Sequence, residues 1–391
     1  MLDSLALCRI CSGSLKRNGR TSAGRTRYRC KDCGASSTST PRPDVARRHE
    51  ITRFLTWLLG TASQDALAGT NTSARTFRRK TAWCWRVDPT LAVTGVVHDE
   101  VQLDGIYLSS RWCALIAIAD GKPIALQWSD TEKSASWKAL LEQVPAPRLV
   151  VMDGGAGLAS AIKSVWPEAK VQRCLVHIQR NVRQHLTLRP KTEAGRRLRK
   201  LSLALTRITT SNEAANWLIA FNAWHNTYEP LLKERTYLTD TTTATVRVKL
   251  RAGQRWWYTH ERLRKAYNVM VNAHKAGTLF TYLDPTLSDF TASSTTNQIE
   301  GGINAQLRAL LRRHRGMSAE HQRRSVQWWL VMHQANPPTP STYVKPEHYT
   351  PPHEPTPART EDTGIPKLHD TAFSPEDGNG IQHGWASRST P

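Results

Sequence analysis

Residues 148–182, RLVVMDGGAGLASAIKSVWPEAKVQRCLVHIQRNV, decide how the chain is built. Leu149–Met152 is a short apolar, β-branched run that reads as a buried strand, and Asp153 stands at its end. Gly154, Gly155 and Gly157 break the strand. LASAIKSVW then spaces its apolar residues as a helix does, Pro167 stops it, and AKVQ offers a second strand before CLVHIQRNV returns to a helix. A carboxylate at the carboxyl end of a central strand is where open α/β sheets place their ligands. The Gly-Gly-x-Gly turn lacks the Lys-Ser/Thr ending of a phosphate loop, which excludes a nucleotide-binding reading.

Working upstream, VHDEVQLDGIYL (97–108) alternates and carries Asp104 near its end. RWCALIAIA and KPIALQWS are two further β-like runs, joined by the hairpin dipeptide Asp120-Gly121. A helix beginning near Ser134 follows, with Trp137 as core. Three strands, helix, strand, helix, strand is the order of the ribonuclease-H-like (retroviral-integrase-like) α/β fold, whose first strand lies beside the fourth. On that topology Asp104 and Asp153 occupy neighbouring strand ends. Residues 93–188 are therefore read as the first part of a catalytic core.

Downstream, residues 189–290 lose strand character and are basic, which predicts an all-α insertion. Residues 291–334 return to the core through STTNQIEGGINAQLRALLRRHRG, a predicted helix with Ile299, Ile303, Leu307, Leu310 and Leu311 as its buried stripe. Glu300 lies beside the stripe, and Asn297, Asn304 and Arg308 share its face. Gly301 and Gly302 cost helix propensity, consistent with a close approach by another backbone or by DNA. Residues 335–391 hold about half of the 21 prolines and few large apolar side chains, so disorder is expected there.

The N-terminal segment 1–40 holds Cys8-x2-Cys11 and Cys30-x2-Cys33, 18 residues apart. Two such pairs can wrap one tetrahedral zinc, and the polar sequence between them could not fold without it. One structural Zn²⁺ on Cys8, Cys11, Cys30 and Cys33 is expected. Residues 41–92 begin with a helix, DVARRHEITRFLTWLLG, with Asp44 as N-cap and Ile51, Phe54, Leu55 and Leu58 on one face. A short helix near 63–68, a Gly69-Thr70-Asn71 turn and a basic helix bearing Arg75, Arg78, Arg79 and Lys80 follow. That is the plan of a helix-turn-helix with its last helix placed for the major groove, though a plain helical linker has the same outline.

Composition sets the partner. Of 391 residues, 54 are Lys or Arg against 32 Asp or Glu, a net charge of +22, which calls for a polyanion. No apolar run reaches the roughly 18 residues of a membrane span. The expectation is a soluble intracellular, cytoplasmic protein with a polyanionic partner, although basicity alone also fits ribosomal or membrane-surface proteins. Seven cysteines, an odd number, argue against a disulfide framework.

Phosphodiester chemistry uses two divalent ions roughly 4 Å apart, held by hard carboxylate oxygens. Two Asp on adjacent strand ends and a Glu on a facing helix supply them. At these residues a resemblance stands out. LDGIY around Asp104, VVMDGG around Asp153, RCLVHIQRNV, and TTNQIEGGINAQLR around Glu300 resemble the Mutator-type DDE transposases of bacterial insertion sequences, over about residues 97–330. The resemblance implies that Asp104, Asp153 and Glu300 bind two Mg²⁺ (or Mn²⁺) ions. It also implies that the protein cuts DNA at terminal inverted repeats and transfers the strand into target DNA, as a homodimer or larger assembly working at a bacterial nucleoid, with no membrane partner. Cys174-x2-His177 corresponds to the family's Cys-x2-His motif. His177 could place a phosphate or shuttle a proton, or be a buried hydrogen-bonded histidine, and Cys174 also suits a small core position. Arg308, Arg312 and Arg313 are candidate DNA contacts. An N-terminal zinc ribbon is absent from the commonest form of the family. Two other functions fit the same residues: a zinc-ribbon DNA-binding regulator derived from a transposase, and an RNase-H-like nuclease.

Overall fold

The computed structural model describes residues 8, 11, 13–38, 43–68, 73–108, 112–237 and 252–349. At the N-terminus, β1 (Leu15–Arg20), β2 (Thr26–Cys30) and β3 (Ser36–Thr38) form an antiparallel sheet in that order. Its core is small: Cys8, Leu15 and Cys30 are buried, with Tyr28 and Ala35 packed against them.

Three helices follow, α1 (Pro43–Leu59), α2 (Gln64–Ala68) and α3 (Ala74–Thr81). Ile51, Phe54, Leu55 and Leu58 are buried, as their spacing predicts. Two details differ from expectation. α1 already includes Pro43, so Asp44 lies in its first turn and is not its N-cap; proline suits the first turn, where its missing N–H costs nothing. α3 stops at Thr81 and a 3-10 turn, Ala82–Arg86, takes over as Trp83 and Cys84 turn into the core. Ser73 caps α3, accepting from the Thr76 amide. The Gly69-Thr70-Asn71 turn lies outside the described residues.

The central sheet comprises β4 (Glu100–Tyr107), β5 (Cys113–Ala119), β6 (Lys122–Ser129), β7 (Leu149–Met152) and β8 (Lys170–Arg173), in the order β6-β5-β4-β7-β8. β4, β5 and β6 are an antiparallel meander, and Asp120 and Gly121, both at positive φ (51° and 70°), make its tight turn. β7 runs parallel to β4, and β8 parallel to β7. Helices α4 (Ser134–Leu141) and α5 (Ala156–Val165) cover one face, burying Trp137 and Trp166 against Val101, Leu103, Leu115 and Val150.

α6 (Leu175–Leu186), α7 (Glu193–Ala204), α8 (Ser211–Lys233) and α9 (Glu261–Lys275) share a separate core around Trp217, Phe221 and Trp224. The insertion is not all-α. β9 (Arg235–Tyr237) pairs antiparallel with β10 (Trp256–Tyr258), where adjacent aromatic residues favour extended backbone and Arg235 stacks over Trp256.

Residues 298–313 then cross the other face of the sheet. Gln298–Asn304 is π-wound, where an ordinary α-helix was expected, and continues as α10 (Ala305–Arg313). Ile299, Ile303, Leu307 and Leu310 pack on Ile106, Ile116 and Ile118 together with α11 (Ala319–Met332). At the far end of α10, Arg313 donates to the Leu59 and Gly60 carbonyls and His314 to that of Leu58, capping the C-terminus of α1. The expected disorder from residue 335 is corrected for residues 335–345. Tyr343 bonds the Thr90 carbonyl and packs edge-on to Trp328, so one aromatic anchor suffices to seat the strap. Residues 346–349 form a single turn of their own, and 350–391 lie outside the described residues. Among the described residues, no helix is long and apolar enough to cross a membrane.

Candidate active site

β4 and β7 pair with a constant offset of 49 residues, Glu100 opposite Leu149 through Gln102 opposite Val151. The same offset separates Asp104 from Asp153, so the two aspartates stand side by side as the strands run out. Asp153 is turned by its own loop: its Oδ1 accepts from the Gly155 amide at 2.8 Å. Gly154 takes φ +97°, a conformation that favours glycine.

The π-wound turn brings Glu300 and Asn304 to these strand ends. Asn304, fully buried, donates its Nδ2 to Asp104 Oδ2 at 2.7 Å. Glu300 Oε1 accepts from the Thr296 hydroxyl at 2.8 Å, and Arg180 of α6 pairs with Oε2. Thr296 also donates its amide and hydroxyl to Cys174 Sγ, so one hydroxyl proton is shared between sulfur and carboxylate. His177 Nδ1 lies 3.2 Å from Glu300 Oε1, an ion-pair distance, and this buried nitrogen makes no hydrogen bond.

The electrostatics follow from this crowding. Burial, then Glu300, then Asp153 push the Asp104 carboxyl up to about 7, against a smaller opposing pull from His177. Burial also acts to raise Glu300, but the Arg180 guanidinium and the Thr296 hydroxyl outweigh it and its pKa is lowered. Burial acts against the charged forms of Cys174 and His177 alike. Their mutual contact prevails, the thiol going down and the imidazole up.

Every carboxylate predicted from the sequence is therefore at one end of the sheet, but the ligand atoms that crowd together are not the predicted trio. Among the described residues, two groups hold potential ligand atoms within 4.8 Å of one another: Cys174, His177 and Glu300 here, and Cys8, Cys11, Cys30 and Cys33 at the N-terminus. In the second, Cys8 and Cys33 sulfurs are 3.6 Å apart and Cys11 and Cys30 sulfurs 3.5 Å, close to the roughly 3.8 Å edge of a tetrahedron with 2.3 Å metal–sulfur bonds. That cluster is consistent with a zinc ribbon.

Arg75, Arg78, Arg79 and Lys80 are exposed on α3, with Arg78 bonded to Gln64. Arg308 and Arg312 are exposed on α10, whereas Arg313 is engaged at α1. Three contributors escaped the sequence. Arg180 stands three residues beyond His177 on the same helix face, a spacing that could have pointed to it. Glu132 sits against Gly105, where a Cβ would come within 2.6 Å of its Oε1, and its carboxyl is raised by burial and by Asp153. Arg173 ends β8 beside Asp153.

Residues 100–246 match the sequence model of the family described as "Transposase, Mutator family". The transposase for insertion sequence element IS905 of Lactococcus lactis subsp. lactis is 38% identical over 96 residues, 20% of this chain and 25% of that protein. That for ISRM5 of Rhizobium meliloti is 34% identical over 99 residues, 23% and 24% respectively. That for IS6120 of Mycolicibacterium smegmatis is 32% identical over 136 residues, 29% and 41%. The chain thus spans about a quarter of the first two curated relatives and 41% of the third.

Proposed function

We propose, from the match of residues 100–246 to the Mutator transposase family and the likeness to transposases of insertion sequences, that this chain cuts DNA at the terminal inverted repeats of a mobile element and joins the freed 3′ end to target DNA. The sheet order, with the strand of Asp104 between an antiparallel and a parallel neighbour, fits a ribonuclease-H-like core interrupted by the α7–α9 region.

The observation that carries this reading is the placement of Asp104, Asp153 and Glu300 at one sheet end, where burial and like charge raise Asp104. Such a site suits divalent cations. The donors are hard carboxylate oxygens, and His177 Nδ1 and Asn304 Oδ1 are buried beside them without hydrogen-bond partners. Asp104, Asp153 and Glu300 would hold two Mg²⁺ or Mn²⁺ ions, which when bound supply Lewis-acid activation of the attacking and leaving oxygens. The rest falls to the chain itself. Asn304 fixes the Asp104 carboxylate, Gly155 fixes Asp153, and Thr296 with Arg180 fixes Glu300. His177 lies where it can meet a phosphate or accept a proton. The four-cysteine ribbon and the helix-turn-helix of α1–α3 would bind the repeats through Arg75, Arg78, Arg79 and Lys80, with Arg308 and Arg312 adding phosphate contacts. Holding two ends requires a dimer or larger assembly.

The test is excision and integration of a marker flanked by the DNA that borders the chain's own coding sequence. Glu300→Gln is expected to keep repeat binding within a factor of a few and lose at least ~10³ in strand cleavage, as expected when a transition-state interaction is removed. Equal cleavage by both proteins would reject the assignment of Glu300. Cuts without joined products would favour a nuclease over a transposase.

A further inference from the structure

Arg173 is an anomaly in the fold. It ends β8, paired with Met152, and its side chain lies across the backbone of Gly154, immediately after Asp153. A Cβ on Gly154 would stand 2.7 Å from Arg173 Cζ, so the glycine is what lets the guanidinium lie there. Its Nε is buried with no hydrogen-bond partner, and among the described residues no carboxylate forms an ion pair with it. Asp153 attracts it, and this attraction is smaller than the cost of burial. A half-buried, unpaired guanidinium is expensive, and chains retain one where an anion arrives later.

The surroundings indicate which anion. Arg173 lines a groove of about 640 Å³ together with Lys163, Trp166, Asn272 and Thr278, and no acidic residue lines it. The groove runs along α5 and β8 and reaches Met152, Gly154 and Arg173 at the carboxyl ends of β7 and β8, the end of the sheet that carries Asp153. Arg180, by contrast, is already paired with Glu300. A forked guanidinium with free donors is the best match in the protein alphabet for the two oxygens of a phosphodiester.

We propose that Arg173 receives a backbone phosphate of the DNA strand being cut, next to the cleaved bond, and so holds that strand against Asp153. This rests on the transposase reading above and adds a phosphate-binding residue that the carboxylate triad does not supply.

The experiment combines three readouts on the full chain with a duplex copied from the DNA bordering its coding sequence. First, melting without DNA: Arg173→Met is expected to raise the melting temperature, because it removes an uncompensated charge. A lower one would mark Arg173 as a structural partner of Asp153 and overturn the proposal. Second, the salt dependence of binding: Arg173→Met should reduce the log–log slope by about one, while Arg173→Lys keeps it. Third, neutral methylphosphonates are placed one at a time around the cleaved bond. One position should cost the wild type ~10²-fold in cleavage and cost Arg173→Met nothing further, since both remove the same contact. Additive losses at every position, with an unchanged salt slope, would overturn the proposal. If Glu300→Gln cuts as well as wild type, the catalytic reading fails, while melting and salt slope still decide the role of Arg173.

Discussion

Cys30→Ser is expected to empty the four-cysteine cluster and unfold residues 8–38 while leaving the central sheet folded. The reason lies in how little else holds the ribbon together. Its buried core is Cys8, Leu15 and Cys30, two of them metal-ligand candidates, and five of the six residues of β1 are exposed. A three-stranded sheet with one buried leucine cannot offset the conformational entropy of its loops. Metal binding to such sites contributes on the order of 10–16 kcal/mol, and here that is essentially all of the local stability. Without metal, the Gly13 amide lowers the Cys11 thiol, but the neighbouring sulfurs outweigh it and push it up to about 12. Cys11 therefore holds its proton in the empty cluster, and loading with zinc must release it, so affinity should climb with pH. Zinc content by atomic absorption should fall to background in the variant, proteolysis should clip the first 40 or so residues, and repeat binding should weaken. Full zinc content in Cys30→Ser would reject the ribbon.

Asp104→Asn is expected to stabilise the protein in magnesium-free buffer at pH 8 and to abolish its stabilisation by Mg²⁺. Asp104 is raised to about 7 in the fold, against an ordinary value of 3.8. Between those two values the folded protein binds the proton more tightly than the unfolded chain does. Stability is therefore highest at the acid end of the window and falls as pH rises to about 7, by on the order of 1.4 kcal/mol per pH unit at most. His177, also raised, acts in the same sense. Added Mg²⁺ should offset the loss, so its effect on the melting temperature should be several degrees at pH 8 and small at pH 5. The measurement is melting in Mg²⁺-titrated buffer without chelator, which would strip the cysteine cluster. The same pH slope in Asp104→Asn as in wild type would exclude Asp104 as the source.

Sequence legibility was uneven, for physical reasons. Asp120-Gly121 announced its hairpin because the required positive φ angles are a local property that few residues tolerate. Asp104 and Asp153 could be matched because strand order alone makes them neighbours. Which carboxylate Arg180 and Asn304 would each meet was out of reach: their contacts to Glu300 and Asp104 span 120 and 200 residues of sequence, which no local period encodes. The π winding was equally hidden, since Ile299, Ile303 and Leu307 fit the apolar spacing of an ordinary helix. β9 and β10 are three residues each, too short for alternation to register. Tyr343 was submerged in a stretch whose average composition argued for disorder, yet it is anchored by one hydrogen bond and one ring contact.

The bonds from Arg313 and His314 to the end of α1 make residues 298–313 a strut. One end carries Glu300; the other is fastened to the helix that leads into the basic face of α3. A strut of fixed length is a ruler. If the chain binds and cuts DNA as proposed, with the repeat seated on α3, the phosphodiester at the carboxylates would be selected by its distance from the recognised sequence and not by its own bases. Lengthening α10 by one turn would add ~5.4 Å, and at ~3.4 Å per base pair the cut should move by between one and two base pairs without any change in what is recognised.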